Sequence, residues 1–330
     1  MNSPEFIILC ELLDRDPAFV SGTTLARKLG LSRVAVWMHM GKLRAQGFEF
    51  EAVRNHGYRI RRPPGALNPL LVQAYLRPRR QPVDLLWLPD IDSTNAEAER
   101  QLAAARPTPF VVLAQRQSRG RGRFGRVWHS AGPGDLYASF VFRPRLEPGR
   151  MTTFTLWMGA SLCDLVAKFC RIQPGLKWPN DLYFQGRKFG GMLTEARVDA
   201  DQIRDLVFGL GLNVNSPADS LPPALARQAT SLSACTGEPV DLNRLTAAIV
   251  GCVYSAYEQF VEGSFRDTFA DLWNRYDLLR GQAVTLLHGP RQVTGIAGGI
   301  DDEGSLLIRS GNGRPQRFSA GEVTLERTEP

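Results

Sequence analysis

Residues 117–128, Gln-Ser-Arg-Gly-Arg-Gly-Arg-Phe-Gly-Arg-Val-Trp, hold the densest chemistry of the chain: four arginines and three glycines fall between Arg119 and Arg126. Glycine lets a backbone approach a phosphate closely, and guanidinium forks match phosphate oxygens. Such a tract suits a single-stranded nucleic-acid binder, a solvated loop or an anion-binding lid. Its position favours the lid, because apolar runs at 110–114 and 136–142 flank it inside a folded segment. It lacks the Gly-Lys-Ser/Thr ending of a P-loop. Its arginines would also crowd the pyrophosphate helix of a Rossmann turn.

Further along, Lys177-Trp178-Pro179-Asn180-Asp181 precedes Lys188-Phe189-Gly190-Gly191. Pro179-Asn180-Asp181 predicts a turn between strands, and Gly186 a second one. The chain has 40 basic residues but only five lysines, Lys28, Lys42, Lys168, Lys177 and Lys188. An arginine-favouring genome accounts for that bias. Two lysines kept within twelve positions still point to sites that need a compact ammonium rather than a planar fork. Asp92-Ser93-Thr94-Asn95 reads as a helix N-cap cluster whose N–H groups and hydroxyls could also receive a polar ligand. In residues 207–215, Gly209 and Gly211 alternate with large apolar residues, which marks a buried strand with something packed on bare backbone. Asn213 at its end either presents an amide to a ligand or forms a turn.

These segments need a scaffold, and composition bounds it. A chain of 330 residues with net charge +7, 43% apolar and 22% charged is an ordinary globular chain of two or three domains. No apolar run approaches the ~18 residues of a membrane span. Glu5, Glu11, Asp14 and Asp16 exclude a secretory signal at the start. Cys10, Cys163, Cys170, Cys235 and Cys252, an odd number without metal or disulfide spacing, fit reduced thiols and a cytoplasmic protein.

The chain divides at composition shifts. Residues 1–62 read as a helical unit ending in a hairpin, 63–70 as a Pro/Gly linker, 71–275 as an α/β or α+β domain, and 276–330 as a small β-barrel. In the first, residues 23–29 form a helix stopped by Gly30, and Ser32 caps the next helix over 33–46. Val34, Val36 or Trp37, Met40 and Leu43 are expected in its core. Helix, short turn, helix is the pattern of a DNA-binding helix-turn-helix, although such units also serve protein contacts or structure alone. Ser32, Arg33, His39 and Lys42 are the candidate DNA contacts. Strands at 50–53 and 58–60 around Arg54-Asn55-His56-Gly57 predict a wing, with Arg54, Arg59, Arg61 and Arg62 placed for phosphates.

With these motifs in this order, the chain resembles the bifunctional biotin–protein ligase and biotin operon repressor family, over nearly its whole length. The Arg-Gly loop together with the Lys-Trp-Pro-Asn-Asp box carries the resemblance most specifically. It implies a multidomain α+β fold: an N-terminal winged helix-turn-helix, a central mixed sheet with flanking helices related to class II aminoacyl-tRNA synthetases, and a C-terminal SH3-like β-barrel. It implies that biotin and Mg-ATP give biotinyl-5′-AMP, which then acylates a lysine of the biotin carboxyl carrier protein of acetyl-CoA carboxylase. Ser93, Thr94, Asn95, Gln117, Arg121, Gly122, Arg123 and Lys188 match positions that contact biotin. Arg121, Arg123 and Lys188 are then the cations of adenylate formation, and Asp181 either orients or accepts the proton of the acceptor lysine or caps its turn. Arg126, Trp128, Asn180 and Asn213 fall to the nucleotide. No permanent metal is implied. The resemblance also implies operator DNA as a partner and a homodimer formed on binding biotinyl-5′-AMP.

One departure concerns the second helix, where family members often carry a basic residue and this chain has Met38. Three rivals remain: a ligase whose helix-turn-helix is only structural, a non-ligating biotin sensor on DNA, and a lipoate or octanoyl transferase. The sensor would have lost Lys188 or the loop arginines. The transferases lack the Arg-Gly loop and the Lys-Trp-Pro-Asn-Asp box.

Overall fold

The computed structural model describes residues 3–77, 83–130, 132–217, 220–311 and 313–325. The chain forms two compact units, Met1–Val83 with Asp241–Ala247, and Asp84–Val240 with Ala248–Pro330. The segment after residue 276 does not separate from the second unit as a body of its own.

In the first unit, α1 (Pro4–Arg15), α2 (Gly22–Leu29) and α3 (Arg33–Ala45) precede an antiparallel hairpin, β1 (Glu49–Val53) and β2 (Gly57–Arg62), and then α4 (Pro69–Leu76). Local chemistry sets the helix-turn-helix. Ser21 caps α2 through the Thr24 N–H, Gly30 ends it at φ 64°, and the Ser32 hydroxyl accepts from the Ala35 N–H at 3.1 Å. Val36, Met40 and Leu43 enter a core with Ile8, Leu9, Leu12, Leu25 and Phe48. Val34, expected inside, is exposed, and of the alternatives Val36 and Trp37 it is Val36 that is buried. The stripe at i, i+4 and i+7 from Val36 turns positions 34 and 37 to the opposite face. Residues 63–70 are tied down by one side chain: Asn243 Nδ2 donates to the Pro64 and Ala66 carbonyls, and its Oδ1 accepts from the Asn68 N–H at 2.7 Å.

The second unit begins with β3 (Asp84–Ile91), α5 (Thr94–Ala103), β4 (Phe110–Gln117), the two-residue strands β5 (Gly120–Arg121) and β6 (Val127–Trp128), and β7 (Leu136–Phe142). After α6 (Met151–Cys170) come β8 (Gly175–Lys177), β9 (Asp181–Phe184), β10 (Arg187–Asp199) and β11 (Gln202–Leu212). The helices α7 (Pro223–Ala226), α8 (Leu232–Thr236), α9 (Leu242–Glu262) and α10 (Arg266–Tyr276) follow, the residues of α9 up to Ala247 counting with the first unit. A seven-stranded mixed sheet has the order β3-β4-β7-β11-β10-β9-β8, parallel only between β3 and β4. β7 is buried at every residue, which explains its unbroken apolar run.

The C-terminal strands β12 (Ala283–His288), β13 (Arg291–Ile300), β14 (Leu306–Arg309), β15 (Gln316–Phe318) and β16 (Glu322–Leu325) form an antiparallel sheet of order β15-β14-β13-β12-β16. Four of these are predicted from sequence, by short apolar runs at 284–287, 293–296, 306–308 and 323–325 between glycine-containing turns. β15 is not, because Gln-Arg-Phe at a sheet edge carries no apolar alternation. This sheet is tied to the rest of the second unit through Trp178, whose Nε1 donates to the Gly304 carbonyl at 3.0 Å. Among the described residues no helix is long and apolar enough to cross a membrane.

Candidate active site

One cavity of about 440 Å³ opens on the second unit, and every sequence-predicted ligand or catalytic residue lines it: Ser93, Thr94, Asn95, Gln117, Arg121, Gly122, Arg123, Arg126, Trp128, Asn180, Asp181, Lys188 and Asn213. The sheet brings them together from strand ends and loops far apart in sequence.

Its first wall is neutral, buried and hydrogen-bonded. The Gln117 amide oxygen accepts from the Thr94 N–H at 2.7 Å and from the Thr94 hydroxyl at 3.1 Å. Ser139 Oγ lies 2.8 Å from Thr94 Oγ1 and 2.5 Å from Asn95 Oδ1, and Asn95 Nδ2 donates to Glu195 at 2.7 Å. Ser93 stands at the N-cap of α5 as expected, but its buried hydroxyl makes no capping bond. Ser139 and Glu195 were missed in the sequence. Ser139 has a readable signal in hindsight: it is the one hydroxyl besides Tyr137 in an otherwise apolar 136–142.

Glycines shape this wall. Gly191 and Gly211 face each other across β10 and β11. A Cβ on Gly211 would stand 2.5 Å from the Trp128 indole, and one on Gly209 2.3 Å from Asn95 Oδ1. The bare backbone expected from the sequence therefore seats Trp128 and Asn95. Trp128 Nε1 is buried without a partner among the described residues, which leaves a donor on the cavity lining.

The opposite wall is cationic. The Lys188 ammonium stands 2.6 Å from Asp181 Oδ1, as an ion contact rather than an aligned hydrogen bond, and 5.4 Å from the Trp128 ring centre. Arg123 donates to Asn180 Oδ1 at 3.2 Å and to the Gly321 carbonyl at 3.3 Å. Burial pushes the Arg123 guanidinium down from its usual range, against Asp181 and Glu322. Lys177 is lowered by burial too, with Asp181 opposing and Lys188 reinforcing. Arg126 pairs with Glu322 on β16, so the C-terminal sheet contributes to the cavity, which sequence reading did not foresee. Arg121 is turned toward Glu99 and Glu195, at 3.5 and 3.7 Å.

Asn213 lies 6% exposed and donates from Nδ2 to the Thr230 carbonyl at 3.0 Å, which ties the strand end to the following segment. Asp135, also missed, fixes the same turn: its carboxylate accepts from the Val214 and Ser216 N–H groups and the Ser216 hydroxyl, although burial raises its pKa. Among the described residues no group of three or more His, Cys, Asp or Glu could hold a metal ion.

The candidate DNA residues lie in the first unit. Arg33 is exposed at the start of α3, and the Ser32 hydroxyl is spent on the helix cap. His39 and Lys42 both face Glu5 of α1: Nδ1 of His39 lies 2.8 Å and Nζ of Lys42 3.3 Å from Glu5 Oε1. Burial opposes ionisation of that carboxyl, but bonds from His39, the backbone and Lys42 bring it down to about 2.

Comparison with known proteins agrees with this geometry. Residues 87–213 match the biotin/lipoate A/B protein ligase family model, 6–59 an HTH domain, and 280–325 the biotin protein ligase C terminal domain. The bifunctional ligase/repressor BirA of Bacillus spizizenii is 34% identical over 302 residues, 92% of this chain and 93% of that protein. The chain belongs to the biotin protein ligase family. The BirA of Escherichia coli is 29% identical over 94% of both chains. The biotin protein ligase of Aquifex aeolicus, solved with biotin and ATP, superposes with a TM-score of 0.62 at 31% identity, covering 74% of this chain and 99% of that one. The family's fold is thus present here, with an N-terminal helix-turn-helix, a central mixed sheet and a C-terminal antiparallel sheet.

Proposed function

We propose that the chain activates biotin with ATP to biotinyl-5′-AMP and transfers the biotinyl group to one lysine of a biotin carboxyl carrier protein, with that of acetyl-CoA carboxylase as its partner. Through its N-terminal unit it represses transcription, with biotinyl-5′-AMP as corepressor. One observation carries the enzymatic reading: a single cavity has a buried neutral hydrogen-bonding wall facing a wall of Lys188, Arg123 and Arg126. The neutral wall suits biotin's uncharged ring system, and the cationic wall suits a carboxylate meeting a phosphate.

In the first step a biotin carboxylate oxygen attacks the α-phosphorus. An O–P bond forms and the bond to pyrophosphate breaks. The carboxylate is already ionised, so alignment and charge neutralisation replace a general base. Lys188, Arg123 and Arg121 supply the positive charge, and magnesium arrives with ATP as part of the substrate. Arg126, Trp128, Asn180 and Asn213 serve the nucleotide. In the second step the acceptor amine attacks the acyl carbon and AMP leaves. Asp181 holds the Lys188 ammonium and is our candidate to receive the proton of the acceptor lysine.

We read the β1–β2 hairpin as the wing of a winged helix-turn-helix. The short antiparallel strands β12 to β16 support an SH3-like barrel, and the seven-stranded sheet supports kinship with class II aminoacyl-tRNA synthetases. The functional limits are 1–62, 63–70, 71–275 and 276–330. Five free cysteines support a cytoplasmic setting, and dimerisation on biotinyl-5′-AMP completes the repressor reading.

The test is incubation with biotin, ATP and a biotin-carrier domain. The carrier gains one biotinyl group by mass, and no gain without ATP. An unmodified carrier overturns the ligase reading. A second reading, a ligase with a purely structural N-terminal unit, draws on Ser32, His39 and Lys42 being engaged within that unit. Binding to the chain's own biotin operator, with affinity that falls steeply as salt rises, separates the two. Salt-independent or undetectable binding favours the structural unit.

A further inference from the structure

Outside the cavity, the largest cluster of exposed apolar side chains in one helix lies on α3. Val34, Trp37 and Met38 are 69%, 60% and 58% exposed. With Gly41, also exposed, they stand at i, i+3, i+4 and i+7, one continuous stripe opposite the buried Val36-Met40-Leu43 face. Isolated exposed apolar residues are ordinary, but a contiguous patch marks a contact surface. Gly41 adds an independent sign. It sits inside a helix, where glycine is unfavourable. A Cβ there would meet nothing within 4 Å, so no packing within the chain requires it. What a mid-helix glycine offers on an open face is close approach of a partner to the backbone.

Charge identifies the partner. Arg27, Arg33, Arg54, Arg61 and Arg62 are exposed in the same unit and have no acidic partner among the described residues. A protein partner of apolar character would gain nothing from unpaired cations around its contact, whereas a nucleic-acid backbone would. α3 is the second helix of the helix-turn-helix, the element that enters a major groove. In that groove the one apolar feature of a base pair is the thymine 5-methyl.

We propose that the Val34-Trp37-Met38 face, with Gly41 admitting the groove edge, reads thymine methyl groups, so that base choice comes from apolar contact more than from hydrogen bonds. This rests on the reading of the first unit as a DNA binder, and it names the base feature that unit selects.

The experiment uses the full chain with biotin and ATP. A duplex enriched from a randomised library is resynthesised with deoxyuridine in place of thymidine, which removes the methyl and leaves the pairing edge intact. Binding should weaken by about fourfold for each contacted methyl. Trp37→Ala and Met38→Ala should bind the thymidine duplex more weakly and lose their sensitivity to deoxyuridine. Their carrier biotinylation should match the parent, and an unchanged helical circular dichroism and thermal unfolding show that the first unit folds. Equal binding of both duplexes overturns the inference while DNA binding stands. Failure to enrich any duplex with salt-sensitive binding overturns the DNA reading and the inference together. If Trp37→Ala changes the oligomeric state and leaves DNA affinity intact, the face belongs to a protein contact and the inference falls.

Discussion

The arginines of the Arg-Gly loop and the five unpaired arginines of the helix-turn-helix unit are kept in opposite ways, although Arg59 on β2 is itself paired with Glu51. In the Arg-Gly loop each cation nearest the chemistry has partners: Arg121 has Glu99 and Glu195, Arg123 has Asn180 and the Gly321 carbonyl, and Arg126 has Glu322. In the helix-turn-helix unit Arg27, Arg33, Arg54, Arg61 and Arg62 have no acidic partner among the described residues. The difference follows from what each charge must meet. A cation that stabilises one developing charge has to wait at a fixed point, so its neighbours hold it there. A cation that meets a polyanionic backbone needs no single geometry, because counterion release supplies the affinity. Half-exposed pairs such as Arg126–Glu322 are worth only about 0–1 kcal/mol, so a phosphate can take over the guanidinium at little cost.

The sharpest break of this contrast is at Lys188. Replacing it with alanine removes the ammonium beside Asp181 and leaves that carboxylate without its counter-charge in the cavity proposed for the phosphate. Carrier biotinylation should fall by roughly 10²–10³-fold, the cost of losing one oriented charge donor. Secondary structure and thermal unfolding should stay close to the parent. Full activity in the variant would remove Lys188 from the reaction.

A smaller loss is expected at Arg123. Its guanidinium spans Asn180 and the Gly321 carbonyl, so it joins the loop to the turn after β8 and to the C-terminal sheet. Arg123→Ala should lower adenylate formation at least tenfold, about 1.4 kcal/mol or more in the barrier. If the loop acts as a lid, the variant should also release biotinyl-5′-AMP into solution faster, because a closed lid would shield the mixed anhydride. Stopped-flow and filter-trapping measurements separate the two effects. Unchanged rate together with unchanged retention would end the lid assignment.

What could be read from the sequence follows the same division. Loop chemistry, the lysine box and the packing glycines are legible because their residue types are rare and clustered, and the sheet merely collects them. Helix caps at Ser21 and Ser32 and the stop at Gly30 are legible because they are local. Partners supplied from far along the chain are not. Glu322 reaches Arg126 across 196 residues, and Glu195 reaches Asn95 across 100. Val34, expected inside, is exposed for a different reason: an apolar side chain on a helix is assigned inward by periodicity, and periodicity alone does not separate a core from an outer apolar stripe.

The mildest test is at Glu5, where the first unit does hold basic side chains against an acid. The carboxylate joins α1 to α3 through His39 and Lys42. Its pKa is lowered from 4.5 to about 2 in the fold: burial raises it, and the bonds from His39, the backbone and Lys42 overcome that. A depressed carboxyl contributes stability that is fully present above the unfolded value of 4.5 and is lost as pH falls toward about 2. Glu5→Gln keeps the shape and removes the titration. At neutral pH it should weaken the unit by about 1 kcal/mol, since the Lys42 end of the cluster is solvent-screened. Between pH 4.5 and 2 the parent should lose amide-exchange protection in α1 and α3, after correction for intrinsic rates, and the variant should lose less. Parallel losses in both proteins would mean that the Glu5–His39–Lys42 cluster does not hold α3 in place, and that this helix is carried by its Val36-Met40-Leu43 face alone.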